Sequence, residues 1–253
     1  MDATAPRDAT PAKTPAAAVS AVIPCLDEED AVAAVVAALQ AQGIADVIVV
    51  DGGSRDRTAE RAARAGARVI VEPRPGYGRA VQAGIAAARA DTDIFLFIDG
   101  DGSDRAELVP ELIAPISAGD AVFVAGSRLR GEREPGSLSM PQIAAGSLAG
   151  LLLRIFYGVR FTDMSPFRAV RRDVLERLGM REQTYGWNLE MLMRVAAAGL
   201  PAREVPVGQR RRIGGVSKVS GNAIASVRAA WTIIATFARL AAVLPRRGRP
   251  RPP

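Results

Sequence analysis

From residue 19 to residue 127 the chain alternates short, unbroken apolar runs with stretches of helical spacing, and this alternation constrains the fold more than any other feature. The runs fall at residues 19–24, 46–51 (DVIVVD), 68–72, 94–99 (IFLFID) and 121–127. Helical spacing fills 30–42, 58–65, 79–90 and 106–118, with Gly43 and Gly66 as stop signals. A strand that is apolar on both faces must be covered on both sides. That is the arrangement of a mostly parallel sheet flanked by helices, so the fold class is expected to be α/β.

The second half is less regular. Residues 129–141 read as a polar loop, 143–157 and 187–198 as helices, 203–207 as one more strand, and 208–221 as a basic, Gly-rich loop. A last helix is expected over 222–244. The 143–157 segment is too short to span a bilayer, and 222–244 is interrupted by Arg228 and Arg239. The last helix has two readings. It packs on the domain, or it lies in a membrane interface with Trp231, Ile233, Ile234 and Phe237 inward. In the second reading the tail residues Arg246, Arg247, Arg249 and Arg251 add attraction to anionic lipid. Residues 1–18 are rich in Ala, Pro and Thr, with no basic segment ahead of an apolar one. A disordered arm is expected there rather than a secretory leader, and 245–253 reads as a basic disordered tail.

Composition removes several chemistries. The 253 residues include no histidine, which excludes His-based triads and imidazole acid–base catalysis. The single cysteine, Cys25, excludes disulfides within the chain and Cys-cluster zinc sites, and fits a reducing, cytoplasmic compartment. The net charge is +6, yet Lys13 and Lys218 are the only lysines, so arginine carries the positive charge. Arginine is the better bidentate partner for phosphate. Aromatic residues make up 5% and do not interleave with basic clusters, so no nucleic-acid partner is expected.

Three apolar runs end in polar turns: Pro24 with Leu26, Asp27 and Glu28; Asp51 with Gly52, Gly53 and Ser54; and Asp99 with Gly100 and Asp101. Ligands of open parallel sheets bind at the carboxyl ends of strands, where all three turns fall. Asp99 and Asp101, one residue apart, suit a shared Mg²⁺ or Mn²⁺ that also holds phosphate oxygens. Asp51 suits a base or ribose, and Gly53 lets the backbone approach a ligand. As an alternative, Asp51 opens a turn and Ser54 or Asp56 caps the next helix. Residues 76–79, with Gly78 and Arg79, precede a helix whose N–H groups suit an anion; a plain loop is the alternative.

The ordered strings VIPCLDEED, VVDGGSRDRT, GYGRAVQAG, FLFIDGDGSD, VAGSR, TDMSPFRAV, GWNLEML and RRRIGGVSK resemble the family-2 GT-A glycosyltransferases. The likeness is greatest to the branch of dolichyl-phosphate mannose synthases and bacterial polyprenyl-phosphate sugar transferases, and it runs over residues 19–221. It implies a single GT-A-like domain, a nucleotide-diphospho-sugar donor and inverting transfer. Pro24, Leu26, Glu28 and Asp51 would line the nucleoside pocket, and Asp99 and Asp101 would hold the metal. Ser127 and Arg128 match a motif whose arginine faces the acceptor phosphate. Asp163 and Glu190 occupy acidic motif positions, and Arg212, Ser217 and Lys218 match a basic loop over the diphosphate. The chain departs from the family pattern with Pro166 in place of Gly and Asp27 in place of Asn.

A phosphate acceptor is already anionic and needs positioning more than deprotonation. A hydroxyl acceptor needs a base, for which Asp163 or Glu190 is the candidate. The leading expectation is transfer to a polyprenyl phosphate, with peripheral membrane contact at the cytoplasmic face. Transfer to a hydroxyl acceptor and a non-catalytic nucleotide-sugar-binding scaffold are the alternatives; self-association is left open.

Overall fold

The computed structural model describes residues 17–214 and 223–244. The expected arm, apart from Ala17 and Ala18, and the expected basic tail lie outside the described residues. Ala18 is not part of a disordered arm: its carbonyl accepts from the N–H groups of Asp93 (2.8 Å) and Ile94 (3.1 Å).

The chain runs β1 (Val19–Cys25), α1 (Val32–Ala41), β2 (Asp46–Asp51), α2 (Thr58–Arg64), β3 (Arg68–Val71), α3 (Tyr77–Ala87), β4 (Ile94–Phe97), a short 3-10 turn (Ala106–Leu108) and α4 (Val109–Ser117). It continues β5 (Phe123–Ser127), α5 (Met140–Tyr157), β6 (Arg168–Arg171), α6 (Arg172–Leu178), α7 (Trp187–Ala197), β7 (Ala202–Pro206) and α8 (Ala223–Val243). The strands form one sheet in the order β3-β2-β1-β4-β6-β5-β7. Only β6 is antiparallel to its neighbours β4 and β5.

The period of two in β1 and β2 separates the core into two layers. Val22, Ile48 and Val50 face one side with Phe95, Phe97 and Phe123, against α3, α5, α6 and α7. Ala21, Ile23, Val47 and Val49 face the other side with Leu96, against α1 and α4. Both faces are dry, as the unbroken apolar runs require.

Two elements escape the sequence pattern. β6 has four residues and opens and closes with arginine, and α6 has seven residues that follow without a loop. Neither offers a run long enough to show a period. The inner part of α8 packs on the domain through Thr236, Phe237 and Leu240, and Phe237 meets Phe156 of α5 edge-on at 5.3 Å.

Because β1, β2 and β4 are parallel neighbours, Cys25, Asp51 and the 98–104 turn emerge on one edge. β5 delivers Ser127 and Arg128 to the same edge, and β6 starts from it just after Asp163.

The closeness of α3 to the sheet rests on Gly84, whose hydrogen lies against Val22 and Val50. A methyl group there would overlap the Val22 side chain. Gly84→Ala is expected to destabilise the protein by about 1–3 kcal/mol through overpacking. A lower urea midpoint with an unchanged slope is the expected reading; a midpoint equal to wild type would mean that α3 shifts outward at no cost.

Candidate active site

The turn after β4 carries three acidic residues, Asp99, Asp101 and Asp104. The Asp99 N–H donates to Asp104 Oδ2 at 3.1 Å, and the Ser103 N–H donates to Asp101 Oδ1 at 2.8 Å. Asp104 is buried, and its Oδ1 has no hydrogen-bond partner among the described residues. Burial pushes the Asp99 carboxyl well up, and Asp101 and Asp104 push it further, while Arg128 and Arg212 pull it down. Burial, then Asp101, pushes Asp104 up to about 7. The turn therefore holds more negative charge than the protein neutralises, which fits a divalent cation. Among the described residues no three ligating side chains converge to complete a cage. Two carboxylates completed by phosphate oxygens and water are the donor set that Mg²⁺ or Mn²⁺ accepts. Asp104 was not singled out in the sequence; a third acid five residues after Asp99 was the available signal.

Cys25 lies beneath these groups. Burial raises its thiol pKa, followed by the charges of Glu28, Asp99, Asp51 and Asp101, so four of the expected residues surround one point. Gly100 is buried against the Cys25 sulfur, which leaves no space for a Cβ. Its glycine is required by this packing rather than by contact with a ligand.

On the nucleoside side, Asp51 accepts the Ser54 N–H at 3.2 Å and the Ser54 hydroxyl. Ser54 Oγ accepts the Asp27 N–H at 2.9 Å. Asp27 has φ 53°, and its carboxylate accepts the Arg55 N–H at 2.8 Å. The first two turns are thus clasped together, with Gly53 at φ 86°. Pro24 is half-buried and Leu26 exposed beside them, with Leu26 packed near Gly52. Asp51 opens a turn as the alternative had it; Ser54 does not cap α2, and Asp56 accepts the Thr58 N–H at the helix start at 2.9 Å.

Arg128 and Asp163 form a bidentate pair at 2.6 and 2.8 Å. The Arg128 and Met164 N–H groups also donate to Asp163, at 3.0 and 2.7 Å. Burial alone would raise the Asp163 pKa; the hydrogen bonds and charge of Arg128 outweigh it and hold the carboxyl below its usual range. A carboxylate with four donors is a poor proton acceptor. Asp163 orients Arg128 rather than acting as a base. Ser127 is fully buried, shares a 2.7 Å hydrogen bond with Thr162 and accepts the Arg130 N–H at 3.2 Å. It braces the loop that carries Arg128.

Glu190 is likewise not placed as a base. It is fully buried and accepts from the N–H groups of Arg181 (3.0 Å) and Glu182 (2.7 Å) and from Arg194 (2.8 Å). It pins the segment 181–186. That segment in turn covers the start of α3: the N–H groups of Gly78 and Arg79 donate to the carbonyls of Thr184 (3.2 Å) and Gln183 (3.0 Å). Gly78 is a glycine because the Glu182 carbonyl occupies the space of its Cβ. The expected anion site at this helix start is therefore filled by protein carbonyls, and Arg79 bonds Gln183.

Residues 208–214 form a strap across the acidic turn. Arg212 donates to Asp101 Oδ2 at 2.7 Å and reaches Glu28 Oε1 at 3.5 Å. Ser217 and Lys218 lie outside the described residues.

If Glu190 positions a segment and does not move a proton, Glu190→Ala is expected to destabilise by about 3–5 kcal/mol, the cost of opening a buried pair. Glu190→Gln keeps two acceptor contacts and should retain most turnover. A Glu190→Gln protein with wild-type melting and abolished turnover would show a base instead.

The comparisons agree with this geometry. Residues 20–179 match the family model described as glycosyl transferase family 2. An uncharacterized glycosyltransferase of Mycobacterium tuberculosis is 43% identical over 222 residues, covering 86% of this chain and 98% of the relative. A dolichyl-phosphate hexose transferase of Haloferax volcanii is 35% identical over 201 residues, 78% of this chain and 84% of the relative. Among solved structures, glucosyl-3-phosphoglycerate synthase of Mycobacterium tuberculosis, in complex with Mn²⁺, uridine-diphosphate-glucose and phosphoglyceric acid, matches with a TM-score of 0.71. It is 24% identical, covers 92% of this chain and 82% of its own, and shows the GT-A fold. The chain belongs to glycosyl transferase family 2 and is a GT-A glycosyltransferase.

Proposed function

We propose that this enzyme is an inverting, metal-dependent transferase that moves a sugar from a nucleotide-diphospho-sugar onto a polyprenyl phosphate. One observation carries the acceptor class. Both carboxylates that a hydroxyl acceptor would need as base, Asp163 and Glu190, are saturated with donors. A phosphate acceptor needs no base; its oxygen needs an oriented arginine, and Arg128 is held rigid beside the acidic turn.

The donor diphosphate would lie at Asp99 and Asp101, with the nucleoside toward Pro24, Leu26, Glu28 and Asp51. A divalent ion bound there supplies charge stabilisation for the departing diphosphate. Relatives support this reading: the solved neighbour carries Mn²⁺ and uridine-diphosphate-glucose, and the Haloferax volcanii relative is named for a dolichyl phosphate.

The lipid part of the acceptor is supported by α5. Gly146 of α5 lies against Asp163, and Gly150 lies against the Phe161 carbonyl. From there the helix turns Leu148, Leu151 and Ile155 outward, all exposed, with Ile155 at 66%. α5 starts at Met140, three residues before the expected start, and at 18 residues it is long and apolar enough to cross a bilayer by length and composition only, which corrects the expectation that this segment is too short. Beside it, α8 exposes Trp231 (70%) and Ile234. Arg154 on α5 and Arg160 just after it are exposed, and exposed Arg239 on α8 pairs with Glu182. We place this face on the anionic inner leaflet of the cell membrane. A second acceptor, phosphoglycerate, is raised by a 39% identity over 124 residues to a glucosyl-3-phosphoglycerate synthase of Mycolicibacterium paratuberculosis, which covers 44% of this chain and 37% of that one.

The decisive assay mixes the protein with UDP-, GDP- or ADP-sugars, Mg²⁺ or Mn²⁺, and either a short polyprenyl phosphate or 3-phosphoglycerate. Lipid-dependent release of one nucleoside diphosphate is expected, falling by roughly 100-fold or more in Asp101→Ala. Release that requires phosphoglycerate and ignores the lipid would replace the acceptor assignment. For the membrane face, Leu151→Glu with Ile155→Glu should abolish co-sedimentation with anionic vesicles while leaving thermal stability intact. Unchanged co-sedimentation would remove α5 from the membrane contact.

A further inference from the structure

We propose that Arg212 is a resident counter-cation of Asp101, and that a metal ion takes its place there only when a nucleoside diphosphate offers Arg212 new partners. The proposal rests on the reading of Asp99 and Asp101 as metal ligands. Metal and donor then bind as a unit, and the site does not preload with metal.

Both oxygens of Asp101 are already engaged. Oδ1 takes the Ser103 N–H, and Oδ2 takes Nε and Nη2 of Arg212, each at 2.7 Å. The same guanidinium reaches Glu28, so Arg212 joins two of the carboxylates that crowd this edge. A divalent ion ligated by Oδ2 would face the guanidinium across one oxygen atom. Like charges at that separation, in a partly buried site, repel strongly. The two therefore compete for that carboxylate.

The strap that carries Arg212 is seated by contacts that a metal at the carboxylates would not use. The Arg210 N–H donates to the Ser103 carbonyl at 2.9 Å, and the Ile213 N–H donates to the Asp101 carbonyl at 3.0 Å. Gln209 Nε2 donates to Ser103 Oγ at 2.7 Å. The Ile213 side chain lies on Gly102, where φ is 74° and no Cβ intervenes. Arg212 can thus exchange partners by side-chain rotation while the strap stays docked.

A second observation points the same way. Arg212 Nη1 is buried and has no hydrogen-bond partner among the described residues. An unmet buried donor is costly, so this nitrogen has capacity for a further acceptor. Diphosphate oxygens are acceptors of the charge and geometry that this fork fits.

The test is a titration of Mn²⁺, with free Mn²⁺ read by electron paramagnetic resonance. It is run on wild type, Arg212→Gln and Asp101→Asn, alone and with UDP or GDP, with thermal melts to confirm folding. Arg212→Gln should bind Mn²⁺ alone roughly tenfold tighter than wild type, the value of one displaced charge-assisted hydrogen bond. The nucleoside diphosphate should tighten Mn²⁺ binding by a larger factor in wild type than in Arg212→Gln. Should Arg212→Gln fail to fold, Arg212→Lys, which loses the two-nitrogen contact, should show a smaller tightening. Equal affinity of wild type and the Arg212 variant for Mn²⁺ alone, with Asp101→Asn weaker than wild type once the nucleoside diphosphate is present, overturns the proposal and leaves the metal site standing. With the nucleoside diphosphate present, an Asp101→Asn protein that binds Mn²⁺ as wild type does overturns the metal site itself, and the proposal with it.

Discussion

Concentrated negative charge at one edge of the sheet is the constraint on which the rest of this structure depends. Glu28, Asp51, Asp99 and Asp101 all act on the buried thiol of Cys25, and Asp104 adds a fifth carboxylate behind them. Ionised carboxylates withdrawn from water are costly unless hydrogen bonds or cations meet them. The fold meets part of that demand with backbone N–H groups and with Arg128 and Arg212. Asp99 and Asp104 remain pushed toward their neutral forms, so a cationic ligand is what the edge is short of.

The two arginines answer this demand differently. Arg128 is fixed: Asp163 grips it with both oxygens and also accepts its N–H. Arg212 arrives on a strap from the far end of the chain, and one of its nitrogens has no partner among the described residues. A fixed guanidinium suits the recognition of an incoming phosphate, because its geometry is set before binding. A guanidinium with an unmet donor suits exchange between partners. Lysine, with a compact point charge, would serve neither geometry as well.

Most strands were legible because their runs are apolar on both faces, and the turns they end in were legible because Asp and Gly follow those runs directly. β6 was not, since Arg168–Arg171 is short and bracketed by charge. Its burial comes from neighbours on both sides: Arg168 is fully buried, and its guanidinium donates to the carbonyls of Ser165 and Asn188. Nothing local announces such a residue. The glycines show the same limit. Gly78 read as part of a helix start open to an anion and Gly100 as part of a metal-binding turn, whereas a loop carbonyl and a cysteine sulfur fill the spaces where their Cβ atoms would lie.

The sequence by itself determined the α/β class, the parallel strands and the acidic turns at their carboxyl ends, because these follow from residue period and from order along the chain. It also brought Glu28, Asp51, Asp99 and Asp101 to one edge, though not Asp104. What each of them does was decided only in three dimensions. Asp163 and Glu190 stand at motif positions where a base would fit, yet each is surrounded by donors from residues brought together by folding. Proton affinity is set by burial and by neighbouring charge, and both are properties of the packed structure. The contact of Arg212 with Asp101, 111 residues apart in the chain, is of the same kind.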